Sequence, residues 1–430
     1  MLSKFSSLRV LVIDDMGAMR SAIKVQLAEM DIVNVDQVGN AEDALRMVES
    51  RVEYDVIFCD YNLNRATSGQ QFLEYLKSMD LLPARTVFIM VTAEAEYGAV
   101  VSAAEFQPDD YLLKPFTAVK IRSRLERLID KRDALQNLLL CMAKKDFDGA
   151  VAESDKLIKA NSKWLMDALR RKGEALLRLG RHEEAAAVFG SALAMRGDLG
   201  WARLGTARAY FAQGRLGEAE KIANDVLESN GAFVLAYDLL AEIAEDAGNA
   251  ALAIDQLEQA STVVPSARRF RLLAEAAYRL SRFDIARSAF EFAIRRTKGS
   301  ITAQETDYLL LAQTHVEAGN PKLAFQVLEA GEEAFGDAGL FGRGQASVKA
   351  QAFLKEDNVA AAKKMLVRAG NLLAHPGANL ETVLMGKALL ASGEKEEGLK
   401  FMEEALRKKS GIRMIESVAK SALAERIGGA

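Results

Sequence analysis

Eight short polar turns recur at near-constant spacing through the last two thirds of the chain. They limit its fold more than any other feature. They begin at Lys145, Gly180, Gly214, Gly248, Ser281, Gly319, Asp357 and Gly393, giving intervals of 35, 34, 34, 33, 38, 38 and 36 residues. Five positions into each turn stands a small residue: Ala150, Ala185, Ala219, Ala253, Ala286, Ala324, Ala362 and Gly398. Large apolar residues such as Phe189, Leu257, Phe290, Leu328 and Leu366 follow four positions later, on the same helical face. A turn residue that tolerates left-handed backbone ends one helix, and the small residue lets the next helix cross it closely. Such units bury their apolar faces only against neighbours and stack into an all-α solenoid. The two intervals of 38 predict extended loops around 297–302 and 336–344. The second is glycine-rich but neither follows a strand nor ends in Gly-Lys-Ser/Thr, so it reads as a mobile connection and not as a phosphate loop. Residues 412–427 are amphipathic and are expected to cap the open end of the solenoid.

The first third has another pattern. Apolar runs at 9–14, 33–38, 56–60, 86–91 and 111–113 alternate with helical stretches at 16–30, 41–50, 71–79, 95–104 and from 117 onward. Strict alternation predicts an α/β fold, a doubly wound sheet of five parallel strands. The runs end in polar groups: Asp14 and Asp15, Asp60, Thr92, and Lys114. In open α/β sheets this carboxyl edge binds ligands. Clustered carboxylates repel one another and are found around hard cations such as Mg²⁺. A lysine ammonium and a threonine hydroxyl can hold phosphoryl oxygens, and a carboxylate nucleophile attacking phosphorus gives an acyl phosphate. A single acid at a strand end is ordinarily a helix cap; that explanation does not cover the whole ordered set.

Composition excludes several classes. The net charge is −4, and nucleic-acid binding needs a basic patch. The short basic runs Arg268-Arg-Phe-Arg271 and Arg407-Lys-Lys409 lie on helical segments and read as solvated faces. The 2 cysteines, Cys59 and Cys141, and the 3 histidines, His182, His315 and His375, form no metal-ligand or disulfide pattern. By strand alternation Cys59 points into the core. No signal-peptide core or membrane span is present, so a cytoplasmic location without membrane insertion is expected.

Val-Ile-Asp14-Asp15, Phe-Cys-Asp60, Val-Thr92-Ala93 and Asp-Tyr111-Leu-Leu-Lys114-Pro115-Phe116 resemble, in order and spacing, the motifs of the response-regulator receiver domain of two-component signalling. The resemblance covers about residues 7 to 128. It implies a flavodoxin-like receiver in which Asp60 is the phosphoacceptor. Asp14, Asp15, Asp60 and the backbone carbonyl of Asn62 would bind Mg²⁺. Thr92 and Lys114 would contact the phosphoryl group, and Tyr111 would be the switch aromatic. It also implies a cis Lys114–Pro115 bond, and Asn62 and Glu94 as the positions that tune dephosphorylation toward a short-lived phosphate. The loop 63–69 departs from the family in lacking proline and being about one residue longer. The eight turns resemble tetratricopeptide repeats over about residues 130 to 410, in degenerate form.

The expected organisation is a receiver at 1–128, a solenoid of about eight helix pairs at 129–410 and a capping helix at 411–430. Residues 117–144 contain neither Gly nor Pro, so the last receiver helix and the first solenoid helix are expected to be continuous or to abut. The expected function is a response regulator phosphorylated by a sensor histidine kinase. Its repeats would bind a partner protein or peptide under phosphorylation control, and a homodimer is left open. No enzymatic activity is expected beyond phosphotransfer to Asp60 and autodephosphorylation. The alternatives are a phosphorylation-independent adaptor and a regulator acting on a histidine kinase or its phosphorylated partner.

Overall fold

The structure is a computed structural model that describes residues 5–50, 52–63, 66–93, 106–372, 379–407 and 413–428. The expected helix at 95–104 lies outside them, as do Glu94 and His375. The chain groups into two compact units, 1–264 with 300–302, and 265–299 with 303–430.

The first unit opens with five parallel strands, β1 (Arg9–Ile13), β2 (Asn34–Val38), β3 (Val56–Asp60), β4 (Val87–Thr92) and β5 (Asp110–Leu113). They form one sheet in the order β2-β1-β3-β4-β5. Among the described residues four helices cover it: α1 (Gly17–Ala28), α2 (Ala41–Glu49), α3 (Gly69–Ser78) and α4 (Ala118–Ala143). Neighbouring strand residues face opposite ways. Val10, Val12, Val56, Phe58, Ile89 and Val91 therefore meet α1 and α4 through Ile23, Leu27, Ile121 and Leu125. Leu11, Ile13, Ile57, Cys59, Phe88 and Met90 meet α2 and α3 through Ala44, Phe72, Leu73 and Leu76. Cys59 is fully buried, as the alternation predicts. The strand order reverses between β1 and β3, so the crevice at their carboxyl ends is the natural ligand position.

Helix α4 runs 26 residues without interruption. The Thr117 hydroxyl caps it by accepting the Lys120 N–H. Its first half packs on the sheet, and its Leu135 and Leu138 belong to the core of the helices that follow. Those helices are α5 (Phe147–Lys159), α6 (Leu165–Arg178), α7 (His182–Met195), α8 (Gly200–Ala212), α9 (Leu216–Ser229), α10 (Val234–Asp246) and α11 (Ala250–Val263). The second unit contains α12 (Ala267–Arg279), α13 (Phe283–Thr297), α14 (Glu305–Glu317), α15 (Pro321–Phe335), α16 (Gly339–Lys355), α17 (Val359–Asn371), α18 (Asn379–Ser392), α19 (Lys395–Arg407) and α20 (Arg413–Gly428).

All eight turn residues adopt positive φ, from 56° at Ser281 to 90° at Gly393. Lys145, Ser281 and Asp357 do so despite carrying a side chain, and the turn geometry thus overrides a steric preference of about 1–2 kcal/mol. The small residue five positions on is buried in every unit. Phe189 of α7 lies between Gly173 of α6 and Gly205 of α8, where a Cβ on either glycine would strike its ring.

Three expectations change in the second unit. Residues 336–344 are not an extended mobile connection: α16 begins at Gly339, and Phe341 to Gly344 are buried. Here the glycines serve close packing. A Cβ at Gly342 would lie 2.7 Å from the Asp337 carbonyl oxygen, and one at Gly344 2.6 Å from Leu309. The basic run at 268–271 is not a solvated face either. Arg269 is buried, and the Arg271 guanidinium donates to both Asp307 carboxylate oxygens at 2.8–2.9 Å. Of the other run, Arg407 is exposed and the two lysines lie outside the described residues. Finally, α20 packs on α12 and α18 as well as α19, so it reaches the first helix of the unit instead of only closing its end.

A polar network links α12, α14, α16 and α18. Gln313 and Gln351 exchange amide hydrogen bonds at 3.0 Å, and Lys387 donates to the Tyr278 hydroxyl at 3.1 Å and to Glu317. Fully satisfied buried networks rigidify a core. Glu275 of α12 is pushed up to about 7, first by burial and further by Asp307, against the pull of Arg279, Arg271 and Arg268. A carboxyl whose folded value is raised stabilises the fold at low pH and loses that contribution as pH rises through about 7. Glu275→Gln is expected to raise stability at pH 8 by about 2 kcal/mol, allowing for partial solvent screening, and to change little at pH 4. Thermal melts of both chains at the two pH values check the sign.

Candidate functional site

The site is assembled at the carboxyl edge of the sheet. The ladder extends one residue past β1, because the Asp14 N–H donates to the Val38 carbonyl at 3.2 Å. This fixes the Asp14 side chain, which is 1% exposed and accepts the Met16 N–H at 2.8 Å. Arg20 of α1 donates to the Asp14 carbonyl at 2.6 Å. Asp60 is the last residue of β3 and is buried. The Lys114 N–H donates to the Thr92 carbonyl at 2.8 Å, which holds the end of β5 beside that of β4. The Lys114–Pro115 bond is cis.

These contacts bring together most of the residues singled out above. Ligand oxygens of Asp14, Asp15 and Asp60 lie within 4.8 Å of one another. The Lys114 ammonium bridges Asp14 Oδ2 and Asp60 Oδ1, at 3.0 Å from each. Thr92 is buried at the end of β4, and Asn62 is exposed two residues beyond Asp60. Tyr111 rests half-buried against the core shared by Leu63, Phe72 and Met90. Its hydroxyl is shielded from solvent and has no hydrogen-bond partner among the described residues. Glu94 cannot be placed among them.

The electrostatics suit a cation and an anion together. Burial pushes the Asp60 carboxyl above its ordinary value; Lys114 opposes this, while Asp14 and Asp15 add to it. Burial works against the Lys114 ammonium, but its bonds to Asp14 and Asp60 outweigh that and hold its pKa above the usual lysine value. Burial and the adjacent carboxylates push the Cys59 thiol well up, so it is an inert core group. Three carboxylates sharing so small a volume fit Mg²⁺, which takes oxygen ligands, and one lysine cannot neutralise all three.

Two supporting residues were not singled out from the sequence. Arg20 carries no motif. Gly69 opens α3 directly under Asp60, where a Cβ would fall well inside contact of the Asp60 carbonyl oxygen. Its helix start could have been found from Ser68 and Gln71, which form a capping box.

The profile described as response regulator receiver domain matches residues 10–126, and two tetratricopeptide-repeat profiles match 142–199 and 176–243. Chemotaxis protein CheY of Pseudomonas aeruginosa is 29% identical over 124 residues, covering 29% of this chain and 98% of that protein. Chemotaxis protein CheY-3 of Vibrio cholerae is 26% identical over 127 residues, covering 29% and 94%. A solved tetratricopeptide repeat protein from Parabacteroides merdae is 16% identical with a TM-score of 0.42, covering 68% of this chain and 98% of that one. No helix among the described residues is long and apolar enough to cross a membrane. Residues 10–126 are therefore a response regulator receiver domain, and tetratricopeptide repeats follow it at 142–243.

Proposed function

We propose that Asp60 accepts a phosphoryl group from a sensor histidine kinase and that its phosphorylation controls the binding of a partner protein by the repeats. The observation that carries this reading is the Lys114 ammonium held 3.0 Å from both Asp14 and Asp60 beside a third carboxylate, Asp15. An Asp60 carboxylate oxygen would attack phosphorus. The new O–P bond forms as the bond to the donor nitrogen breaks, and the electron pair leaves with that nitrogen. Lys114 is placed to receive a phosphoryl oxygen in exchange for its present carboxylate partners. The Thr92 hydroxyl, at the adjacent strand end, is assigned the same role. Asp14, Asp15, Asp60 and the Asn62 carbonyl would hold Mg²⁺, which when bound neutralises charge on the phosphoryl oxygens. Asn62 and Glu94 are assigned to hydrolysis of a short-lived aspartyl phosphate, and Tyr111 to the conformational response. The unbroken α4, shared by the core of the sheet and the core of the first repeats, supports a mechanical link between them. The domain division at 128 and 410 is part of this reading.

Labelled acetyl phosphate with Mg²⁺ tests the chemistry. One label per chain is expected, not formed when Mg²⁺ is chelated beforehand and absent in Asp60→Ala. Persistence of the label in that variant would move the acceptor elsewhere. A pull-down from lysate with the labelled wild type and Asp60→Ala then tests control. Identical partners in identical amounts would leave only a phosphorylation-independent adaptor.

A further inference from the structure

The connection between α13 and α14 contains a tripeptide, Ser300-Ile301-Thr302, that groups with the first unit although the helices on both sides of it group with the second. Thr67, in the loop between β3 and α3, holds it. Thr67 is 1% exposed and Ser300 8%, so both hydroxyls are withdrawn from water. Thr67 Oγ1 lies 2.9 Å from Ser300 Oγ and accepts the Ile301 N–H at 3.3 Å. Ser300 Oγ accepts the Thr302 N–H at 3.1 Å and lies 2.9 Å from Thr302 Oγ1. A donor chain running from Thr67 through Ser300 to Thr302, or its reverse, satisfies every bond, because each hydroxyl donates once and accepts up to twice. The Ile301 side chain packs on the same core as Leu63, Tyr61 and Tyr111. The residues that lengthen this repeat interval to 38 are thus the ones that dock.

The docking loop is mechanically joined to Asp60. The Gly69 N–H donates to the Tyr61 carbonyl at 2.9 Å, and the space above Gly69 is filled by the Asp60 backbone. A shift of the chain at Asp60 or Tyr61 therefore displaces residues 67–69 unless their packing breaks. We propose that Ser300-Ile301-Thr302 is a docked latch that senses the state of Asp60: it is held while Lys114 bridges Asp14 and Asp60, and it is released when a phosphoryl group takes Lys114 and the loop rearranges. This rests on the phosphorylation reading above. The latch continues by covalent bonds into α13 and α14, so its release transmits the signal to the repeats from a second point besides α4. Because coupling is reciprocal, weakening the latch must favour the phosphoryl-bound state.

Hydrogen exchange on the full chain, with and without beryllofluoride and Mg²⁺ as the phosphoryl mimic, tests the latch. The Ile301 amide is expected to exchange about tenfold faster with the mimic bound, within the usual range of allosteric couplings. Thr67→Val should produce the same acceleration without the mimic, and Ser300→Ala should tighten mimic binding several-fold. Should Thr67→Val unfold the receiver, Ser300→Ala, on the other side of the contact, carries the test alone. Bound mimic with unchanged exchange at residue 301 and unchanged affinity in Ser300→Ala would overturn the latch while leaving the phosphoacceptor in place. A wild-type chain that binds no mimic would overturn the phosphorylation reading, and the latch with it.

Discussion

Gly69→Ala is expected to cost the receiver more than about 3 kcal/mol and to abolish labelling at Asp60. A single added methyl group in a packed region usually costs 1–3 kcal/mol, because neighbouring side chains can yield. Here the obstacle is main chain. The new Cβ would fall far inside van der Waals contact of the Asp60 carbonyl oxygen, with the Asp60 carbonyl carbon and Cys59 Sγ each at 3.0 Å. Asp60 cannot retreat, since β3 is paired on both sides, with β1 and with β4. Helix α3 would have to withdraw, taking Phe72, Leu73 and Leu76 off the sheet. Urea unfolding of the variant should move the receiver transition to much lower denaturant. Gly190→Ala on α7 is the control, because nothing lies within 4 Å of the Cβ it would add. That change should be neutral or stabilise by up to about 1 kcal/mol through helix propensity. Equal midpoints for the two variants would show that α3 adapts freely under Asp60.

Gly69 also marks the limit of what could be read in the chain. The parallel sheet and the polar strand ends were legible, because each rests on a local pattern: an apolar run, an acid, a helical spacing. The eight turns were legible for the same reason. Every one of them, glycine or not, has the left-handed backbone that its position in the period demands. Close approaches have no such signature. Nothing in the sequence near Gly69 says that the Asp60 backbone covers it, and nothing near Thr67 points to Ser300, 233 residues away.

The errors share one cause. Gly336 to Gly344 reads as a mobile loop when glycine is taken as a source of backbone freedom. In the fold Gly342 and Gly344 are there for their lack of volume, under Asp337 and Leu309. Arg268 to Arg271 reads as a solvated face when charge is taken to mean exposure. The distinction depends on Asp307, a residue of another helix, and no periodicity locates a partner across 36 positions. Local composition reports what a segment can do alone, whereas the second unit is determined by how its helices meet.

Asp307→Ala provides the strongest test of that view of the second unit. Asp307 is 2% exposed, and the side chain of Arg271 is 14% exposed. Burial pushes the Asp307 carboxyl up, and the bidentate Arg271 pulls it back. Removing the carboxylate leaves the guanidinium without its main counter-charge in a site that water barely reaches. Breaking a buried pair from one side costs about 3–5 kcal/mol, most of it the uncompensated charge. The thermal transition of the second unit should fall accordingly, while labelling at Asp60 in the receiver should not change. The converse substitution separates charge from packing. Replacing both partners with apolar residues, Arg271→Met with Asp307→Leu, should recover most of the loss, because desolvation offsets much of what a buried ion pair gains. If the single variant melts with the wild type, the pair is solvated and contributes little. If the double variant remains as unstable as the single, the helices α12 and α14 depend on the directional geometry of the pair, and the charge in the basic run is then what orders this part of the fold.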